Sequence, residues 1–331
     1  MVPPRTPPLS EDRLGELIPE LTNLSRRYEG GQKQVFYAEL EGVPVAVKVL
    51  LPERPVYPDV DPYASTLAMD DEDEGSSDDT DAIDPRIPGR LRREIDLLSR
   101  INSPNVVRMA SLPNTRGHIR SLVDDTTGVT YFAYAEEWIG GKNLDEITNK
   151  GQEKLPLKDV VALGRNILSA IEELDRLGVV HRDIKPLNIM RRDDGVWLLV
   201  DFGLAFEVNG EGLTASGTWL GTAAWTAPEV NNPELKDRLD YRADVFSLGL
   251  VLYEALSAQH AYEGRKAGRT VDEAIRAMNT VTATAISELV DGIPDDLAAM
   301  IMRMIERDLD LRVRRLGQVC GVLDRCWGNL Q

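Results

Sequence analysis

An α+β fold in two parts is predicted for this 331-residue chain by where its two kinds of hydrophobic pattern fall. Short apolar or period-two runs bounded by turn residues, Val35–Ala38, Val43–Leu50 and Tyr131–Ala135, lie in the first 137 residues and read as strands. Beyond them, Val160, Leu163, Ile167, Ile171, Leu174 and Leu177 recur at three- and four-residue steps and make one face of a long helix, Leu157–Leu177, ended by Gly178. The length is sufficient for two lobes around a cleft, each with its own hydrophobic core.

In chain order, residues 1–8 hold four prolines and are expected to form an extended, poorly ordered arm. Ser10 can cap a short helix carrying Leu14, Leu17, Ile18 and Leu21 on one face. Gly30-Gly31 precedes the strand at Val35, and Glu41-Gly42 turns the chain into Val43–Leu50, where period two sets Ala46 and Lys48 on one face. Residues 52–89 then carry twelve acidic and two basic side chains, a net of −10 out of −17 for the whole chain. That run cannot bury enough apolar surface to offset its ordering entropy, so a disordered insertion is expected. Leu91, Ile95, Leu98 and Ile101 resume helical spacing, with Glu94 in the same helix.

The net charge argues against nucleic acid or an anionic membrane as a general partner. The longest uncharged apolar stretch, Val245–Tyr253, is too short to span a bilayer, and no signal segment opens the chain. Cys320 and Cys326 lack a second pair to complete a metal site and read as reduced thiols, so a cytoplasmic location is expected.

The chemistry concentrates between His181 and Gly203. His181-Arg182-Asp183-Ile184-Lys185-Pro186-Leu187-Asn188 is followed by the buried-strand pattern Val196–Val200 and then Asp201-Phe202-Gly203. Moving a phosphoryl group to a hydroxyl needs a carboxylate for that hydroxyl, a cation over the phosphoryl oxygens and oxygen ligands for a hard metal ion. Asp183, Lys185, and Asn188 with Asp201 are those types.

The two motifs together resemble the catalytic domain of eukaryotic-type (Hanks-type) protein serine/threonine kinases, and the likeness runs from about Arg26 to Cys326. It implies a two-lobed protein kinase fold: an arm and short helix at 1–22, a small β-rich N-lobe at 23–137 and a larger, mainly α-helical C-lobe at 138–331. ATP and Mg²⁺ (or Mn²⁺) would lie between the lobes. On this likeness Asp183, Lys185 and Asn188 are catalytic, and Asn188 and Asp201 hold the metal. Val45-Ala46-Val47-Lys48 resembles the family's Val-Ala-Ile-Lys, which gives Ala46 to the adenine and Lys48 to the phosphates, and Glu94 matches the helix glutamate whose ion pair positions that lysine. Gly30, Gly31 and Val35 stand where the glycine-rich loop would cover the phosphates. Only Gly30 falls on a glycine position, Tyr28 and Lys33 occupy the outer two, and a glycine pair before a strand is also an ordinary turn. Glu136–Gly141 looks like the hinge, with the Glu137 carbonyl and the Ile139 amide meeting adenine. Glu136 then stands at the back of the pocket, where the family has an apolar or hydroxyl residue.

The loop Leu204–Ala227 holds Thr214, Ser216 and Thr218 as candidate phosphosites, with Arg182 placed to pair with a loop phosphate, while Thr222 would face the active site. Ala227-Pro228-Glu229 matches the family's Ala-Pro-Glu, and Arg312 would pair with Glu229. Asp244–Gly249 resembles its central C-lobe helix. Lys185 matches the serine/threonine subgroup. The implied activity is transfer of the γ-phosphoryl group of ATP to Ser/Thr hydroxyls of proteins, including the chain itself. Two other readings stand beside it: a pseudokinase scaffold, which the eroded glycine loop favours, and a small-molecule phosphotransferase, which normally lacks the Ala-Pro-Glu and Asp-x-x-Ser-Leu-Gly segments present here. The acidic insertion is either a recruiter of a basic protein substrate or a solvated spacer. No reading fixes the oligomeric state.

Overall fold

The computed structural model describes residues 6–29, 33–51, 86–115, 117–203, 206–207, 224–262, 276 and 280–331. They fall into two units, one drawn from residues 1–100 and 107–139, the other from 101–106 and 140–331.

The first unit is built on an antiparallel sheet of β1 (Leu21–Glu29), β2 (Lys33–Leu40), β3 (Val43–Leu50), β4 (Met109–Ala110), β5 (Arg120–Asp124) and β6 (Val129–Glu137). Their order is β1-β2-β3-β6-β4, with β5 also paired to β6. The β2–β3 turn places both Glu41 (φ 53°) and Gly42 (φ 78°) in the left-handed region, as a two-residue hairpin loop requires. β3 is buried on both faces. Val45, Val47 and Val49 join Phe36, Ala133 and Ala135 in one core, while on the other side Phe132 and Tyr134 pack with Ile87, Leu91 and Ile95, the last two from α2 (Gly89–Arg100).

Residues 1–22, set apart in the sequence as an arm and a helix, belong to this unit from Thr6 onward; residues 1–5 lie outside the described residues. The Gln34 side chain accepts from the Leu9 N–H (2.9 Å) and donates to the Leu9 carbonyl (3.0 Å), and Tyr131 Oη donates to the Pro7 carbonyl (2.8 Å). α1 (Glu11–Leu17) starts at Ser10, whose Oγ accepts from the Arg13 N–H. Leu9, Leu14 and Ile18 thereby enter the core under Val45, Val47 and Val49, and this apolar cover outweighs the proline content that suggested disorder. Leu14 is fully buried, so Leu14→Ala should destabilise this unit by about 2–5 kcal/mol in urea unfolding; a loss below about 1 kcal/mol would show that the helix is not part of the core.

β1 carries no readable pattern because most of it is exposed and two irregularities interrupt its register with β2. At the far end of the expected insertion, residues 86–89 are part of the fold: Ile87 is buried and Arg86 donates to Thr130 Oγ1. Residues 52–85 lie outside the described residues.

The second unit is mainly helical, with α3 (Leu144–Ile147), α4 (Leu157–Arg176), α5 (Arg242–Ser257), α6 (Asp295–Met304) and α7 (Leu316–Asn329). α4 ends where Gly178, at φ 69°, donates its amide to the Asp175 carbonyl. α5 is buried on every side, and at Gly249 a Cβ would come within 2.7 Å of Met304 Cβ, so the glycine is what admits α6. Two small sheets deliver the chemistry-bearing stretch: β8 (Val179–Val180) pairs with β11 (Phe206–Glu207), and β9 (Ile189–Arg192) lies between β7 (Gly141–Asn143) and β10 (Trp197–Leu199). Residues 101–106, assigned by sequence to the N-lobe, join this unit through buried Asn105, whose Nδ2 donates to the Trp197 carbonyl and whose carbonyl accepts from the Leu199 amide. No helix among the described residues is long and apolar enough to cross a membrane.

Candidate active site

β8 ends at Val180, and the next residues are tied to α5 rather than to a strand. Asp244 accepts from the backbone N–H groups of His181 (2.7 Å) and Arg182 (2.9 Å), which holds Arg182 at φ 64°, a left-handed conformation that needs such support. The next residue, Asp183, is fixed on both sides. Lys185 Nζ reaches its two carboxylate oxygens at 2.9 and 2.8 Å, and Asn188 Nδ2 donates both to its Oδ2 (2.8 Å) and to its carbonyl (2.9 Å). Burial raises the Asp183 carboxyl above the usual range, against the lowering effect of Lys185, with a further upward push from Asp201. A carboxylate so placed is a better proton acceptor than a solvated one.

With both bonds of Asn188 Nδ2 directed at Asp183, its Oδ1 takes no hydrogen bond among the described residues and is left as a ligand oxygen. The Asn188 carbonyl accepts from the Val200 amide, which ties the loop to the residue just before Asp201. Asp201 itself sits at φ 66° and accepts from the Gly203 amide at 3.4 Å. An amide oxygen and a carboxylate fit a hard divalent cation.

His181 is buried edge-on to Phe202, with ring centroids 4.6 Å apart, and its Nδ1 accepts from the Asp183 amide. Burial, above all, pushes its pKa down to about 3, so the ring is a neutral brace. Asp244 is pushed up to about 7, again chiefly by burial and against its two backbone donors. The signs are opposite. Asp244 holds its proton better when folded, so its contribution to stability falls as pH rises from about 4 to 7, whereas that of His181 is lost as pH falls from about 6.5 to 3. Relative to wild type, Asp244→Asn should therefore make stability rise more steeply with pH between about 4 and 7, and His181→Leu should make it rise less steeply between about 3 and 6.5. Urea midpoints measured across these windows check both; equal slopes in the two variants contradict the assignment.

Farther along, Arg312 and Glu229 form a two-pronged ion pair, Nη1 to Oε1 at 2.5 Å and Nη2 to Oε2 at 3.1 Å, with side chains 0% and 1% exposed. Ser247 of α5 donates to the Trp225 carbonyl, which anchors the approach to Glu229.

The first unit carries the remaining expected residues. The strand register Val35↔Lys48↔Tyr134 and Tyr37↔Ala46↔Glu136 puts Val35, Ala46 and Lys48 on one face together with Tyr134 and Glu136. The expected ion pair of Lys48 with Glu94 is not formed. Lys48 Nζ instead meets Glu136 Oε1 at 2.6 Å, and Glu94 Oε1 accepts from Tyr134 Oη at 2.9 Å. The physical reason is local: Glu136 lies on the neighbouring strand two residues from Lys48's partner, within reach of a long side chain. Glu136 was legible only as an oddity, yet a charge in a buried strand requires a partner, and Lys48 was the buried cation at hand. Glu137 closes β6 with its amide on the Arg108 carbonyl and its carboxylate on the Arg108 amide, and Trp138 donates to the Pro44 carbonyl. The Ile139 amide has no hydrogen-bond partner among the described residues. Gly30, Gly31, Thr214, Ser216, Thr218 and Thr222 lie outside the described residues.

Comparison with known proteins gives a consistent picture. The protein kinase domain family matches residues 76–320, a span that includes Asp183 and Asp201 and excludes Lys48. A protein of Clostridium perfringens named a probable serine/threonine-protein kinase is 27% identical over 236 residues, 71% of this chain and 31% of that one. Serine/threonine-protein kinase PknH of Mycobacterium bovis is 29% identical over 236 residues, 71% of this chain and 36% of its own. PknL of Mycobacterium tuberculosis, likewise named a serine/threonine-protein kinase, is 36% identical over 167 residues, 49% of this chain and 40% of its own. The chain thus spans about a third of the length of the curated relatives it matches.

Proposed function

The chain belongs to the protein kinase family, and from that premise we propose that it transfers the γ-phosphoryl group of ATP to serine and threonine hydroxyls of proteins, its own included. The observation that carries the reading is the fixed and buried Asp183 carboxylate, held by Lys185 and Asn188 with its proton affinity raised. Asp183 orients the acceptor hydroxyl and takes its proton as the oxygen attacks phosphorus and the bond to the ADP oxygen breaks. Lys185 neutralises charge on the transferring oxygens. Asn188 Oδ1 and the Asp201 carboxylate would hold Mg²⁺ or Mn²⁺, which when bound shields the phosphate charge. Lys48 serves the phosphates, while Ala46, the Glu137 carbonyl and the Ile139 amide serve the adenine. Turnover in the range of roughly 1 to 100 per second is expected of such a site. Incubation with ATP labelled at the γ position, Mg²⁺ and Ser/Thr-containing peptides tests the reading. Label should reach the peptides and depend on the metal, and its absence would leave a binding scaffold.

Phosphorylation of Thr218, Ser216 or Thr214 is the proposed activating event, with Arg182 as the charge partner of the phosphate. Full activity from a chain unmodified at all three sites, read by mass spectrometry, contradicts it. The acidic insertion, at −10 over residues 52–89, is proposed to attract a basic protein substrate. Replacing residues 56–84 by a Gly/Ser linker should then raise KM for that substrate and flatten its salt dependence with kcat little changed. Equal KM values for the two proteins at low and moderate salt leave only a spacer.

A further inference from the structure

Lys48 and Glu136 are both strand residues and both almost completely removed from water, with side chains 8% and 3% exposed. Among the described residues, Glu136 is the ion-pair partner of Lys48, at 2.6 Å. Tyr134 stands between this pair and the helix carboxylate: its ring lies under the Lys48 ammonium, 5.6 Å from centroid to Nζ, and its hydroxyl donates to Glu94. We propose that Glu136, not Glu94, is the residue that positions Lys48 for the nucleotide. The inference rests on the nucleotide-binding reading of the first unit and deepens it.

Three features carry the assignment. β3 and β6 are joined in continuous register from Val45↔Glu137 to Leu50↔Phe132, so lysine and carboxylate ride on one rigid ladder. Glu94, by contrast, is carried by α2, the element that follows the long acidic segment. A lysine ammonium has three donors, and the one engaged by Glu136 leaves others for phosphate oxygens. Finally, a buried carboxylate left without its cation is strongly disfavoured, so the pair is self-enforcing in a way an exposed pair is not. The consequence is a lysine whose placement is set by the sheet and is independent of where α2 lies. Glu136 acts through Lys48 and is a positioning residue.

The experiment compares Glu136→Gln, Glu136→Asp and Glu94→Gln in the full chain, with ATP affinity measured directly and KM for ATP and kcat from peptide phosphorylation. Glu136→Gln should raise both Kd and KM for ATP by about tenfold or more with kcat changed much less, Glu136→Asp should recover part of the loss, and Glu94→Gln should stay within about threefold of wild type. A merely structural role would not separate KM from kcat in this way. Two results overturn the proposal: a loss in Glu94→Gln with none in Glu136→Gln, or tighter ATP binding in Glu136→Gln, which would make Glu136 a competitor of the phosphates. Failure of wild type to bind ATP would sink the kinase reading instead. The pairing is then read separately by a urea double-mutant cycle of Lys48→Met and Glu136→Gln, in which the double variant should be less destabilised than the sum of the singles; additivity would overturn the pairing whatever the nucleotide does.

Discussion

Asp183→Ala is expected to lower kcat by about 10²–10⁴-fold while leaving nucleotide affinity nearly unchanged. Asp183 touches Lys185 and Asn188, and in the proposed reaction it meets only the acceptor hydroxyl, so its removal deletes an interaction made in the transition state. Asp201→Ala should behave differently. Asp201 is assigned to the metal, so that variant should lose transfer and weaken Mg²⁺-dependent nucleotide binding as well. Steady-state kinetics combined with direct ATP binding separate the two patterns. An Asp183→Ala protein that binds nucleotide tenfold more weakly would place Asp183 among the nucleotide ligands and contradict its role as base.

Arg312→Ala is expected to cost about 3–5 kcal/mol of stability, because it strands the buried Glu229 carboxylate. The loss has more than one source. Besides its two bonds to Glu229, Arg312 donates to the carbonyls of Glu306 (2.6 Å), Arg242 (3.1 Å) and Arg307 (3.2 Å), so one side chain satisfies a carboxylate and three backbone oxygens. Lysine cannot reproduce that planar fork, and Arg312→Lys should recover little. Removing the charge on both sides, with Arg312→Met and Glu229→Gln together, should destabilise less than the sum of the singles. Urea unfolding of the four proteins checks this. Additive losses would mean that the two side chains act independently.

The catalytic loop was legible because its chemistry lies in consecutive residues: Asp183, Lys185 and Asn188 are within six positions, and local backbone geometry brings them together. The same holds for the helices, whose apolar spacing is a direct consequence of one buried face, as in α4, expected over Leu157–Leu177 and found at Leu157–Arg176. What sequence did not disclose were interactions that depend on tertiary neighbours. The grip of Asp244 on the His181 and Arg182 amides joins residues some sixty positions apart, and its sole trace is one of two acids, with Glu254, in a mostly apolar helix. The choice of Glu136 over Glu94 as partner of Lys48 turns on strand register, which a strand's alternation alone does not set. Residues 6–8 were misjudged for a related reason, while the helix after Ser10 was not: prolines speak about local stiffness, whereas the Pro7 carbonyl is held by Tyr131 and the neighbouring Leu9 finds its partners on the sheet.

Whether Asp183 serves a hydroxyl of serine or threonine is decided by the identity of the labelled amino acid. Acid hydrolysis of protein phosphorylated from γ-labelled ATP by the wild-type chain should release phosphoserine or phosphothreonine, and the Asp183→Ala protein run in parallel should release neither. Equal yields from the two proteins, or label confined to phosphotyrosine, would contradict that role.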